Sequence, residues 1–137
     1  MNANGVFFGK KILLITQSPD VLHTVKDSVE QHHASFFHAG SSKDGVGQAA
    51  AKNPDLIIYD DRMPLINGSH VLALIRRLRP SGKLLLLSRT HVPLRSIDAS
   101  AQGASFTISN DSSEEQIYNA VKHCLAIASV PRIEQPV

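Results

Sequence analysis

The architecture of this chain is clearest in residues 54–68, which read PDLIIYDDRMPLING. Within them, the apolar run Leu56–Tyr59 ends abruptly in the carboxylate of Asp60. A run this short and this apolar is typical of a strand that is buried on both faces of a parallel sheet. Met63-Pro64 and Gly68 then supply the residues of a tight loop before the next helix. The pattern predicts Asp60 at the carboxyl end of a strand, where open α/β sheets bind their ligands.

The length and composition indicate one domain with a substantial core. The chain has 137 residues, of which 42% are hydrophobic, and its formal net charge at pH 7 is +2. Basic residues are dispersed except for Arg76, Arg77 and Arg79, which we interpret as the last turn of a helix, where cations favour the dipole. No basic stripe is visible, so the composition does not predict nucleic-acid binding by this segment itself.

Several sequence features favour a cytoplasmic protein without a membrane segment. Cys124 is the single cysteine, so no internal disulfide can form and a reducing compartment is expected. The first eleven residues contain neither a long apolar region nor a cleavage site. Elsewhere, no apolar run approaches the roughly 20 residues that a membrane span needs.

Strand-like and helix-like segments alternate along the chain. Strands are predicted at residues 11–15, 34–39, 56–60, 83–88 and 105–108. Helices are predicted from the cap residue Ser18 onward and at residues 46–52, 69–78, 91–102 and 112–127, with a loop at residues 40–45. Such alternation implies parallel strands joined by right-handed crossovers. The predicted fold class is therefore α/β, with a doubly wound, five-stranded parallel sheet and five helices.

The domain is predicted to occupy residues 1–128, with its core over about residues 10–128. Its last helix begins with Ser112 and Glu115, which have the spacing of a capping box. Residues 129–137 hold two prolines and no apolar periodicity, and we interpret them as a linker or tail.

The order of the elements and the loop around Asp60 resemble the receiver domain of bacterial response regulators. Residues 54–60, followed by Met63-Pro64 and Gly68, match the phosphoacceptor loop of that family almost without gaps. The resemblance covers about residues 10–128 and implies a flavodoxin-like, receiver-type fold. It implies that Asp60 is the phosphoacceptor candidate, because a carboxylate there can accept a phosphoryl group as an acyl phosphate. It also puts Ser88 at the position of the hydroxyl that binds a phosphoryl oxygen.

Three parts of the family's phosphorylation site are altered in this sequence. The acidic pair after the first strand, which holds Mg²⁺ in the family, is replaced by Thr16 and Gln17. Mg²⁺ is usually bound by one or two carboxylates, and Asp60 is the one left at the expected place, so the affinity for Mg²⁺ should fall steeply. Asn110 replaces the family's lysine, and an amide stabilises phosphoryl charge less well than an ammonium does. Thr107 replaces the rotating aromatic residue.

Arg89 follows Ser88, at a position where the family prefers a small residue. A guanidinium there could reach Asp60 and pair with it. Such a pair would either stand in for the lost lysine or block the phosphoryl pocket. The alternative is an arginine that is solvated on a loop.

Three functions compete for this sequence. The leading one is a signalling domain, an atypical or pseudo-receiver that regulates a partner receiver or an attached output domain. The alternative is an ordinary receiver, which accepts a phosphoryl group from a histidine kinase and controls an attached DNA-binding domain, and the intact Asp60 loop and Ser88 favour it. The third is a phosphohydrolase, which would need a bound metal and a second carboxylate. Because Asp61 would face away from Asp60 on a strand, we do not predict an enzyme.

Two further expectations concern partners and metals. The resemblance implies that a homodimer could form through the face of the fourth helix, the fifth strand and the fifth helix. The seven histidines are scattered over different elements and predict no metal site.

Overall fold

The computed structural model describes residues 9–30, 32–60, 77, 83–88, 106–109 and 112–126. Within these residues, the chain forms five strands and three helices. In chain order they are β1 (Lys11–Ile15), α1 (Pro19–Glu30), β2 (Ser35–Ala39), α2 (Ser42–Lys52), β3 (Leu56–Asp60), β4 (Lys83–Ser88), β5 (Phe106–Ser109) and α3 (Glu114–Ala126).

The five strands form one sheet in the order β2-β1-β3-β4-β5, and every neighbouring pair is parallel. This confirms the predicted doubly wound parallel sheet. The chain moves from β1 outward to β2 and then to β3 on the other side, so the winding direction reverses between β1 and β3. Ile15 lies opposite Tyr59 in the register of these two strands. Such a switch point leaves a crevice at the carboxyl ends of the strands, and Thr16 and Asp60 stand at that edge.

Both faces of the sheet are buried, which explains the continuous apolar runs of the strands. Successive residues of a strand point to opposite faces, so each strand contributes to two core clusters. One cluster packs against α1 and α3 and includes Ile12, Leu14, Val21, Val25, Leu56, Ile58, Leu85, Leu87, Ile117 and Val121. The other lies on the face of α2 and includes Leu13, Ile15, Ala39, Ala49, Ile57, Tyr59, Leu84 and Leu86.

The start of α1 is confirmed as the sequence predicted it. The hydroxyl oxygen of Ser18 accepts a hydrogen bond from the backbone N–H of Val21 at 3.2 Å. Pro19 occupies the first turn, where its missing N–H costs nothing, and Asp20 lies near the positive end of the dipole. Of its apolar residues, Val21, Val25 and Val29 are buried, whereas Leu22 is half-buried at the edge of the core.

The predicted loop at residues 40–45 is wrong for residues 42–45, because α2 begins at Ser42 rather than at Val46. The side chain of Ser41 caps the helix and accepts a hydrogen bond from the N–H of Asp44 at 3.0 Å. A glycine inside a helix costs about 1 kcal/mol relative to alanine, so Gly45 is an unfavourable residue for the first turns of this helix. Gly45 is nevertheless suited to its place, because a Cβ there would lie 2.6 Å from Cδ1 of Ile15. Close packing of α2 on β1 therefore outweighs helix propensity.

The predicted capping box of the last helix is displaced by one residue. Ser113, rather than Ser112, accepts a hydrogen bond from the N–H of Gln116 at 3.1 Å. In return, Oε1 of Gln116 accepts from the N–H of Ser113 at 2.8 Å. Glutamine serves in this motif as well as glutamate does, and the shift leaves Ile117 and Val121 buried against the sheet.

Part of the predicted architecture lies outside the described residues. The proposed loop at residues 61–68, the helix at residues 91–102 and the tail at residues 129–137 fall there. Of the predicted helix at residues 69–78, Arg77 is described, and it is helical and exposed. Among the helices that the structure describes, none is long and apolar enough to cross a membrane.

Candidate functional site

Asp60 is the last residue of β3 and stands at the switch point of the sheet, where its side chain is 1% exposed. Its Oδ2 accepts a hydrogen bond from the hydroxyl of Thr16 at 2.7 Å. Thr16 directly follows β1 and is fully buried. The parallel register of β1 and β3 brings these two residues together, although 44 positions separate them along the chain.

Thr16 is fixed by hydrogen bonds at its backbone as well as at its side chain. Its N–H donates to the carbonyl of Ala39 at 3.0 Å, at the end of β2. Its own carbonyl oxygen lies 2.9 Å from Nε2 of His38, which donates to it in the tautomer that carries the proton there. Its hydroxyl oxygen accepts from the N–H of Ser18 at 3.0 Å. Thr16 therefore connects Asp60 with both β2 and the start of α1.

The direction of these bonds gives the Thr16 hydroxyl one defined role. A hydroxyl has a single proton to donate, and its oxygen can accept. Because the N–H of Ser18 occupies the oxygen, the proton is directed at Asp60. A buried carboxylate needs such donors, since burying a charge without partners is costly. Hydrogen bonds to charged groups contribute about 1.5–3 kcal/mol, so this bond is a substantial part of what holds Asp60.

Gln17, the second residue after β1, is exposed. Its Nε2 donates to the carbonyl of Gly40 at 3.0 Å, at the junction between β2 and α2. The two residues after β1 therefore have different contacts. Thr16 binds the carboxylate of Asp60, whereas the amide of Gln17 fastens the neighbouring loop.

The other predicted site residues lie on β4 and β5 or follow them. Ser88 ends β4, one residue beyond Leu87, which lies opposite Asp60 in the sheet. Thr107 is on β5, where its backbone lies opposite Leu86 of β4. The side chains of Ser88 and Thr107, and the whole of Arg89 and Asn110, lie outside the described residues. The roles of these four residues therefore stay predictions.

The donor set at this edge fits a divalent metal poorly. Mg²⁺ needs oxygen ligands in octahedral geometry, usually with one or two carboxylates. Among the described residues, the contact at the switch point joins one carboxylate, Asp60, to the Thr16 hydroxyl, which donates its proton to it. The described part of the chain contains no group of three or more His, Cys, Asp or Glu side chains that could hold a metal ion.

Sequence reasoning located Asp60 and Thr16 but missed the hydrogen bond between them. The signal that could have found it is the register of two predicted strands. Once Lys11–Ile15 and Leu56–Asp60 are paired in parallel, the polar residue after the first strand lies beside the acid that ends the second. The links to His38 and Ser18 had no comparable signal, because they depend on side-chain direction.

Comparison with known proteins establishes the family. A family model described as the response regulator receiver domain matches residues 12–122. The chain belongs to this family. Receiver domains are signalling modules, so the resemblance found in the sequence is confirmed at that level. No curated protein matches the chain significantly.

Solved structures of other receiver domains share the fold of this receiver domain. A CheY-like receiver domain from Methanospirillum hungatei is 19% identical with a TM-score of 0.77, over 86% of this chain and 94% of that one. The receiver domain of the putative response regulator NarL from Mycobacterium tuberculosis is 24% identical with a TM-score of 0.75, over 88% and 98% of the respective chains. The response regulator domain of CheB from Thermotoga maritima is 21% identical with a TM-score of 0.71, over 88% and 96%. Identities this low show a common fold and leave the activity open.

Proposed function

We propose that this receiver domain is an atypical one, which signals by presenting a surface to a partner. In this proposal, Asp60 occupies the phosphoacceptor position but is held by hydrogen bonds in place of a metal site. The observation that supports it is the bond from the Thr16 hydroxyl to Asp60, at 2.7 Å, in a site where both residues are buried. A neutral hydroxyl stands where the family's acidic pair would hold Mg²⁺.

The substitutions around Asp60 support the same proposal. With Thr16 and Gln17 after β1, the site lacks about two of the negative charges that attract Mg²⁺ in the family. With Asn110 after β5, it lacks the ammonium that stabilises a phosphoryl group. In addition, an incoming phosphoryl donor must reach a carboxylate that is 1% exposed. We therefore expect phosphorylation of Asp60 to be inefficient and insensitive to Mg²⁺.

The partners we propose are another receiver domain or an attached output domain, with a histidine kinase as the donor if Asp60 is phosphorylated. Self-association into a homodimer is the remaining alternative. We place the protein in the cytoplasm, with residues 1–128 as the domain and residues 129–137 as a linker. Cys124 is buried, and desolvation raises the pKa of its thiol to about 12, so the thiol is protonated and unreactive at neutral pH.

A second candidate function is that of an ordinary receiver controlling an attached DNA-binding domain. It is favoured by the arrangement of β3 and β4, whose parallel register brings the chain position of Ser88 next to the end of β3. The family's phosphoacceptor and hydroxyl positions are both occupied by the family's residues. This candidate requires efficient, metal-dependent phosphorylation, which the atypical candidate does not.

An acyl-phosphate donor distinguishes the two candidates. The full chain is incubated with acetyl phosphate, with and without Mg²⁺, and its intact mass is measured. We expect little addition of a phosphoryl group and no increase with Mg²⁺. Asp60→Asn serves as the control for the site of addition. Efficient labelling that depends on Mg²⁺ and disappears in Asp60→Asn would establish the ordinary receiver and refute the atypical one.

A further inference from the structure

We infer that Thr16 is the positioning residue of this site and that it couples Asp60 to the first turn of α1. The inference rests on the proposed function, because it concerns the same carboxylate. It adds a route by which a change at Asp60 alters the structure outside the site. This route runs through the junction of β1 and α1, on the opposite side of β3 from Thr107 on β5.

Two hydrogen bonds that share the Thr16 hydroxyl make up this route. The hydroxyl donates to Oδ2 of Asp60 at 2.7 Å and accepts from the N–H of Ser18 at 3.0 Å. Because one hydroxyl both donates and accepts, the two bonds polarise each other, so a change in charge at Asp60 alters the bond from the Ser18 amide. Ser18 is also the cap of α1, since its side-chain hydroxyl accepts separately from the N–H of Val21 at 3.2 Å. The carboxylate is thus connected to the backbone of the residue that caps the helix.

The backbone of Thr16 cannot easily absorb a change at Asp60. Its N–H is bonded to Ala39 and its carbonyl oxygen to His38, both on β2. The side chain is the part that can respond, and a β-branched side chain has few χ1 rotamers, separated by distinct barriers. Removing the negative charge of Asp60 weakens the hydrogen bond from the Thr16 hydroxyl, because a bond to a charged acceptor is about twice as strong as a neutral one. The side chain of Thr16 can then leave Asp60 for another rotamer, and the N–H of Ser18 loses the hydroxyl oxygen that accepts its hydrogen bond.

A merely structural role for Thr16 predicts something different. In that case the hydroxyl satisfies a buried carboxylate, and its removal lowers stability without changing how α1 responds to Asp60. The two roles are distinguished by the Ser18 amide, which donates to Thr16 and lies 42 positions from Asp60 along the chain. If Thr16 couples the two sites, a substitution at Asp60 affects this amide in a way that depends on the residue at position 16. If its role is merely structural, the effect does not depend on that residue.

Amide hydrogen exchange on the ¹⁵N-labelled full chain tests the coupling. Asp60→Asn is made in the wild type, in Thr16→Val, which removes the hydroxyl at constant shape, and in Thr16→Ser, which keeps it. We expect Asp60→Asn to change the exchange rate of the Ser18 amide by about fivefold to tenfold in the wild type and in Thr16→Ser, the range expected from one hydrogen bond. In Thr16→Val, the same substitution should leave that rate unchanged. An equal change in all three backgrounds overturns the inference.

The result is independent of the phosphorylation assay. Mg²⁺-dependent labelling of Asp60 would refute the proposed function while leaving the exchange experiment to decide the coupling. If Thr16→Val fails to fold, the Thr16 hydroxyl proton of the wild type provides the test, because a buried donor bonded to a carboxylate exchanges slowly with water. We expect a slowly exchanging hydroxyl resonance that is lost in Asp60→Ala. A resonance that persists unchanged in Asp60→Ala overturns the coupling.

Discussion

Asp55 directly precedes β3 and Asp60 ends it, and each accepts a hydrogen bond from a residue at the corresponding end of β1. At the amino end, Oδ2 of Asp55 accepts from the backbone N–H of Lys11 at 2.8 Å. At the carboxyl end, Oδ2 of Asp60 accepts from the Thr16 hydroxyl at 2.7 Å. Both pairs are 44 positions apart along the chain, and both bridge the same two strands.

The difference between the two carboxylates lies in their donor and their burial. The donor to Asp55 is a backbone amide, which every residue except proline would keep, and Asp55 is half-buried. The donor to Asp60 is a side chain that can rotate and that one substitution can change, while Asp60 is 1% exposed. The contact at the amino end is therefore made by the backbone, whereas the contact at the carboxyl end depends on the residue at position 16.

The largest effect is expected when the donor to Asp60 becomes a second acid. In Thr16→Asp, two carboxylates meet in a buried site, and we expect a loss of about 3 kcal/mol or more, the scale of an uncompensated buried charge. Mg²⁺ at millimolar concentration should restore the stability, since the pair now resembles the family's metal site. Thermal unfolding with and without Mg²⁺ measures both effects. Thr16→Asn is the neutral control. If the melting temperature of Thr16→Asp does not change with Mg²⁺, residue 16 does not determine whether the site binds the metal.

Removing the hydroxyl comes next in size. Thr16→Val keeps the shape and deletes the donor, so the free energy of unfolding should fall by about 1.5–3 kcal/mol, as for a hydrogen bond to a charged group. Thr16→Ser keeps the donor and loses one methyl group, which is worth about 1 kcal/mol. At the other end of the strands, Lys11→Ala leaves the backbone donor in place and should change stability by less than about 0.5 kcal/mol. Urea denaturation measures the free energy of unfolding of the three variants. Equal losses of stability in Thr16→Val and Lys11→Ala would show that the two ends of β3 do not differ in this way.

Packing beneath the Asp60 end provides a third comparison. In Gly45→Ala, the new Cβ would lie 2.6 Å from Cδ1 of Ile15, the residue before Thr16, so we expect a loss of about 1–2 kcal/mol from overpacking. Gly47→Ala is its matched control, because no atom lies within 4 Å of the Cβ it adds. Helix propensity alone should make Gly47→Ala more stable by up to about 1 kcal/mol. If chemical denaturation shows that both variants gain stability, α2 does not press on Ile15 as described.

The limits of some elements could be predicted from the sequence, and those of others could not. β1, β3 and β4 match their predicted limits, because an apolar run between polar residues is a local signal. The start of α2 was missed, since the close approach of Gly45 to Ile15 is visible only after α2 has packed on β1. The capping box of α3 was displaced because Ser112 and Ser113 both have an acceptable partner three residues later.

Part of the site could also be predicted from the sequence, and part of it could not. The position of Asp60 at the end of β3 follows from one apolar run and its following acid, which sequence alone reveals. The Thr16 hydroxyl bond depends on the register between two strands and on the direction of a side chain, and neither is encoded in neighbouring residues. The sequence therefore placed Thr16 and Asp60 after and at the end of their strands, and the structure supplied the contact that joins them.

The smallest effect is expected at the amino end of β3. In Asp55→Asn, the amide oxygen can still accept from the N–H of Lys11, so the free energy of unfolding should change by no more than about 1 kcal/mol. The exchange rate of the Ser18 amide should stay at its wild-type value, in contrast to Asp60→Asn. A change at Ser18 caused by Asp55→Asn would show that any loss of charge on β3 reaches α1, without a specific role for Thr16.

We propose that a hydrogen bond from Thr16 holds Asp60 in place of a metal ion. A titration of the ¹⁵N-labelled wild type with Mg²⁺, following the amide resonances of Ser18 and Asp60, tests this directly. We expect no saturable change at either amide up to millimolar Mg²⁺. Saturable shifts at both amides that disappear in Asp60→Asn would contradict the proposal, because they would show that the site binds the metal despite the Thr16 bond.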